Sequence, residues 1–150
     1  MINTHKELIA EIKIFAEKMD LIKDFRYMKD TEKIVDEVNA SEPRVLVIGV
    51  DSVSFDEENY NQVMTYSFVM ADETIYDNDS IINSEEENLF CVSSLGDYLK
   101  YISDSQIEIQ GVSLLTEKVG EGVFTSIEGK FEFIIKRSPS YWKKMEEYNV

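Results

Sequence analysis

Two carboxylates one residue apart, Asp77 and Asp79 in DNDSIINSEEEN, have the opening spacing of a calcium-binding loop. The rest of the loop is missing. Ile82 stands where a glycine must make the sharp turn, and Asn88 stands where a bidentate glutamate must close the shell. Carboxylate clusters also serve two-metal hydrolysis, but that chemistry needs basic groups to hold a phosphate substrate, and this segment has none. His5 is the only histidine, and a lone imidazole without a positioned nucleophile makes no triad. It is expected on the polar side of a first helical turn, at the surface. Cys91 is the only cysteine and lies in the apolar context NLFCVSSL, which predicts a buried, inert thiol and excludes an internal disulfide. Neither GxxxxGK[ST] nor GxGxxG occurs, and the GEG of VGEGV reads as a hairpin turn. The expectation is a protein that is not an enzyme and takes no cofactor or metal.

Charge says more. The 150 residues carry a formal net charge of -15. Between Arg44 and Lys100 there are twelve acids and no base, whereas the flanking parts are nearly balanced. A surface of this kind repels DNA and anionic membranes. The simplest reading is a solvated acidic face; the sharper ones are a surface that repels nucleic acid or one that imitates it. At 43% hydrophobic content the chain is large enough and apolar enough for one folded domain, residues 1–150. No apolar run reaches membrane-span length, and MINTHKELIAEI lacks the basic start and apolar stretch of a secretory signal. A soluble cytoplasmic product is expected.

The elements that must position these groups follow from periodicity. Thr4 and Glu7 form a capping-box pattern ahead of a stripe of Leu8, Ile12, Phe15, Met19 and Ile22, which predicts a helix fading near 19–23. DFRYMKD fits a short strand, and TEKIVDEVNASEP fits either a helical turn or a loop. Pro43 biases Glu42 away from helix, so a strand should follow it. RVLVIGVDSVSF, residues 44–55, is an apolar run that predicts a strand buried on both faces. It should form a hairpin with VMTYSFVMA, residues 63–71, across the loop DEENYNQ. DETIYDNDSIINS reads as an acidic connection that extends the strand in part. A second helix lies between Ser84 and Ser103, capped by Ser84/Glu87 or Ser94/Asp97, with Leu95, Leu99 and Ile102 as its stripe. QIEIQGVSLLTE, residues 106–117, alternates as a strand.

In the last strand, GVFTSIEGKFEFIIKR, apolar Ile127, Phe131, Phe133 and Ile135 alternate with polar neighbours, giving one dry and one wet face. The dry face should cover the two helices. The wet side, with Lys130, Lys136 and Arg137, suits an acidic neighbour. Residues 138–150, with Tyr141 and Trp142, fit a terminal helix after Pro139 or an interface arm. The fold class is α+β: two layers, a mainly antiparallel sheet of about four to five strands, with an N-terminal helix and a second helix on one face.

Two stretches carry a resemblance. EPRVLVIGV follows a long N-terminal helix and a variable segment. SLGDYLKYIS is followed by a strand, a TE, a glycine turn and a final amphipathic strand, LLTEKVGEGVFTSIEGKFEFIIKR. In order and spacing over most of its length, the chain resembles the ring-forming tail terminators and neck (head–tail joining) proteins of tailed bacteriophages. The resemblance implies a structural virion protein assembled in the host bacterial cytoplasm. It implies a closed ring of identical subunits, sixfold or twelvefold, between portal and tail, with DNA passing through the lumen. It also implies packing against neighbouring portal, neck or tail proteins, and no catalysis. Asp72, Glu73, Asp77 and Asp79 would then face the lumen, where negative charge keeps DNA from sticking. Lys130, Lys136, Arg137, Tyr141 and Trp142 would meet adjacent subunits. The competing reading is an acidic DNA mimic or adaptor that binds a basic partner.

Overall fold

A computed structural model describes residues 2, 4–28, 38, 41–56, 61–103, 107–119 and 122–136. Most of TEKIVDEVNASEP, most of the DEENYNQ loop, the two turn residues 120–121, and all of 137–150 lie outside the described residues. Helix α1 spans His5–Lys18, and strand β1 spans Asp24–Tyr27. Strands β2, Val45–Asp56, and β3, Asn61–Ile75, form the expected hairpin. Helix α2 follows at Asn78–Ser103, and then β4, Gln110–Val119, and β5, Gly122–Lys136. The five strands make one sheet in the order β1-β2-β3-β5-β4. Every pairing is antiparallel except β1 with β2. The fold is therefore α+β with a mostly antiparallel sheet, as the periodicity predicts.

The main core lies between the sheet and the two helices. Leu8, Ile12, Phe15 and Ala16 of α1 and Cys91, Val92, Leu95 and Leu99 of α2 are buried there. They meet Leu46 and Ile48 of β2, Tyr66, Phe68 and Met70 of β3, and Ile127, Phe131, Phe133 and Ile135 of β5. The dry face of the last strand does cover the helices. Thr4 caps α1, its hydroxyl accepting from the Glu7 amide at 3.1 Å. The opposite sheet face carries a smaller cluster of Met28, Val45, Val47, Val69 and Ala71, with Val38 packed on it.

Three expectations are corrected. Burial of β2 on both faces holds only for Val45–Gly49; Asp51–Phe55 are exposed, because the small cluster on the second face reaches no farther than Val47. Strand β3 runs on to Ile75, the expected partial extension into DETIYDNDSIINS. Helix α2 begins at Asn78, well before Ser84. Its cap is Asp77, whose carboxylate accepts from the Asp79 and Ser80 amides at 3.0 and 3.3 Å and from the Ser80 hydroxyl at 2.6 Å. Strand β4 begins at Gln110, with Ile107 buried ahead of it in the core.

Candidate functional site

The helix-facing side of the sheet ends in a polar row. Register sets Val45 opposite Ala71 and Asp72 opposite Thr125, so Arg44, immediately before β2, stands beside Asp72 of β3 and Thr125 of β5. Above them α2 presents Ser84, Glu87 and Asn88, whose spacing of three and four puts them on adjoining turns of one side. Arg44 is 3% exposed. Its guanidinium donates to Asn88 Oδ1, Glu87 Oε2 and Asp72 Oδ2, each at 2.8 Å. The Ser84 hydroxyl has one proton and gives it to Asp72 Oδ2 at 2.8 Å. The short Ser84–Thr125 contact is then a donation by the Thr125 hydroxyl. Thr125 in turn accepts from Asn88 Nδ2, at both its hydroxyl and its carbonyl, at 3.2 Å. The Arg44 carbonyl accepts from the Lys23 and Asp24 amides, which ties the entry of β1 to the same residue.

This cluster locks the helix to the sheet. The buried guanidinium meets two carboxylates and an amide through three of its five N–H groups, and the side chains of Ser84, Asn88 and Thr125 answer one another, so the cluster finds its main partners within the subunit. Cys91 is fully buried, as its apolar context predicts, and burial pushes its thiol up. Among the described residues no group of three His, Cys, Asp or Glu is placed to hold a metal.

The acids expected at the lumen separate. Asp72 is bound to Arg44 and Ser84 inside the subunit, and Asp77 is the cap of α2. The Ser80 hydroxyl, and after it the backbone amides, hold the Asp77 carboxyl below its ordinary range. Glu73, on the other sheet face, and Asp79, in the first turn of α2, are exposed. Of the four, Asp72 is engaged by a buried arginine inside the subunit, while Asp77 caps α2 and remains exposed. Lys130, on the wet face, pairs with Asp51 of its own subunit at 2.9 Å while remaining 57% exposed. An exposed pair of this kind contributes about 0–1 kcal/mol and exchanges partners readily. Lys136 ends β5, and Arg137, Tyr141 and Trp142 lie outside the described residues.

His5 is not the surface residue expected. Its ring stacks on Tyr66 at 5.6 Å and 14°. Nδ1 is 2.7 Å from the hydroxyl of fully buried Tyr66, and Nε2 is 3.2 Å from that of Tyr27. The imidazole serves as the partner that a buried tyrosine hydroxyl requires. Burial lowers the His5 pKa from 6.5. The folded state thus resists protonating it: the stabilisation is complete above the unfolded pKa and is lost as pH falls through the lower folded one. With a single histidine the titration is directly readable by NMR, and its midpoint is expected below 6.5. A midpoint at or above that value contradicts the tyrosine-bound, half-buried placement.

The second feature is the sheet edge. Strand β4 has β5 on one side and, among the described residues, no strand on the other. Every residue of Gln110–Lys118 is exposed. Val112, Leu114 and Leu115 are 46–48% exposed. Leu114 pairs with Ile127 on the helix face, and Leu115 pairs with Ser126 on the other. The devices that blunt an edge sit only at its ends. An irregularity between Gln110 and Ser113 contains Gly111 at a φ of 64°, which favours glycine, and Glu117 and Lys118 stand at the far end. The stretch VSLL between them is open to another chain. Alternation in 106–117 marks the strand, but only the tertiary arrangement makes it the edge.

The chain matches no protein-family model and no curated protein sequence. Among the described residues, no helix is long and apolar enough to cross a membrane.

Proposed function

We propose that this protein is a structural subunit that closes into a ring in the neck or tail of a tailed bacteriophage, around a passage for DNA. The observation that carries the reading is the open β4 edge, apolar on both faces over Val112–Leu115. A chain of charge -15 that keeps such an edge exposed has a strong reason to pair it. The opposite edge is β1, a different and much shorter strand running parallel to its neighbour. An edge contact onto another surface of the next copy is heterologous, and repeated heterologous contacts close into a ring when the rotation between copies divides a full turn. The self-satisfied Arg44 cluster supports a scaffold rather than a catalyst, and the order of elements supports the phage setting. The exposed acids available to a lumen are Glu73, Asp77 and Asp79, joined by Glu86 and Asp97. The DNA-mimic reading is weakened by Asp51, Asp72, Asp77 and Glu87, which bind groups of their own subunit instead of standing free.

Light scattering and negative-stain microscopy test the proposal, with discrete rings of six or twelve copies as the expected result. A particle that stays monomeric at the highest soluble concentration counts against it. Leu115→Lys places a charge on the edge at an exposed position. It should abolish assembly while changing subunit stability by no more than about 0.5 kcal/mol. Unchanged rings in that variant would remove β4 from the interface.

A further inference from the structure

The sheet face away from the helices carries a cavity of about 250 Å³. Asp51, Ser67, Ser113, Glu128 and Lys130 line it, and Gly111 stands at its side. Register brings them together. Tyr66 and Phe68 of β3 face the core, so Ser67 between them faces the other way. Ser67 stands opposite Lys130, and Ser113 of β4 stands opposite Glu128. Asp51 comes in at the irregularity of β2 between Val50 and Ser52. Gly111 sits at the irregularity of β4, and a Cβ there would meet nothing within 4 Å, so that side is open.

The polar groups of this cavity are only partly answered. Ser67 is 8% exposed, and its hydroxyl has no hydrogen-bond partner among the described residues. A buried hydroxyl left in that state destabilises the fold, and native chains seldom keep one without use. The Glu128 carboxylate is exposed and, among the described residues, also unpaired. The Lys130 ammonium gives one of its three protons to Asp51 Oδ2, at 2.9 Å. Among the described residues its other protons and Asp51 Oδ1 have no partner.

Both signs of charge stand side by side here, which restricts the ligand. A simple anion would meet the Glu128 carboxylate, and a simple cation would meet the Lys130 ammonium, each a like charge. A molecule that carries both charges finds a partner for each. We infer that the cavity is a binding site for a small zwitterion of the α-amino-acid class. Its ammonium donates to Glu128 and to Asp51 Oδ1, and its carboxylate accepts from Lys130 and from the Ser67 hydroxyl. Glu128 and Lys130 lie two residues apart on one strand face, roughly 7 Å between Cα atoms, so their long side chains can close on two charges separated by a single carbon. The site is independent of whether the chain closes into a ring.

Saturation-transfer NMR reads the resonances of the ligand and works at any particle size. The full chain is titrated with each standard amino acid to about 10 mM, enough to register millimolar binding. Ethylamine and propionate, the two halves of alanine, serve as single-charge controls. At least one amino acid should give a signal that saturates, and neither control should. Glu128→Gln and Lys130→Met, both at exposed positions, should each weaken that binding by at least about tenfold. Ser67→Ala should weaken it less, since it removes one neutral donor. No saturable signal from any amino acid overturns the site. Equal binding of ethylamine or propionate, or binding unchanged in Glu128→Gln or Lys130→Met, overturns it as well.

Discussion

Arg44→Met is expected to destabilise the protein by about 3 kcal/mol, the lower part of the range for breaking a buried ion pair by removing one partner. Methionine retains most of the apolar stem packing, so the loss isolates the charge. Asp72 and Glu87 would be left facing each other without the guanidinium, and Asn88 would lose its donor. Partial solvent access of the two carboxylates, 20% and 35%, keeps the figure at the lower end. Urea denaturation at neutral pH measures the effect. Arg44→Met combined with Asp72→Asn and Glu87→Gln should recover at least half of it, because the stranded charges are gone. A loss below about 1 kcal/mol for Arg44→Met alone would show that the carboxylates find water or another cation. The same geometry bears on charge reversal. Asp72→Lys sets an ammonium against the guanidinium and should fail to fold stably, whereas Glu73→Lys and Asp79→Lys, at exposed sites, should be tolerated. A test of lumen charge therefore belongs on Glu73 and Asp79.

Phe131→Ala should cost about 3–5 kcal/mol, the range for removing a large core ring. Phe131 is 1% exposed in the middle of β5. It stands opposite Tyr66 on β3 and stacks on it at 5.1 Å and 18°, with Phe68 6.4 Å away. Tyr66 is itself held by His5 of α1. One ring thus joins β5 to β3 and, through Tyr66, to the N-terminal helix. The cavity cannot collapse easily. On its flank Phe68 already lies across Gly129, where an added Cβ would be 2.6 Å from the ring. Calorimetry or denaturant unfolding gives the magnitude, and the His5 resonances should shift as the Tyr66 ring loses its partner. A cost below about 1 kcal/mol would mean that the buried and exposed faces of β5 are reversed.

The legible parts of this fold were those with a clean period and one dry side. Leu8, Ile12 and Phe15 repeat at helical spacing, and Ile127, Phe131, Phe133 and Ile135 repeat at strand spacing; each set is buried as expected. Helix α2 was legible only in its second half. In its first half the buried stripe continues as Ser84 and Asn88, and polar residues there broke the apolar period. The signal was present, since 84, 88, 91, 95 and 99 follow one helical stripe. It reads as a stripe only once Arg44, Asp72 and Thr125 are known to lie beneath it. Asp77 has the opening spacing of a calcium loop by sequence, and its place at the start of α2 gives it the role of a cap.

By itself, then, the sequence determined the α+β class, the two amphipathic helices, the hairpin, the buried Cys91 and the concentration of acid in the middle third. These follow from local spacing and composition, which need no partner residue to be read. Tertiary structure alone decided which acids are free, which strand is the edge, and what His5 and Arg44 do. Each of those depends on residues distant in sequence, Tyr66 for His5 and Asp72, Glu87 and Asn88 for Arg44. A buried polar group is settled by its partners, and strand register and helix placement supply them.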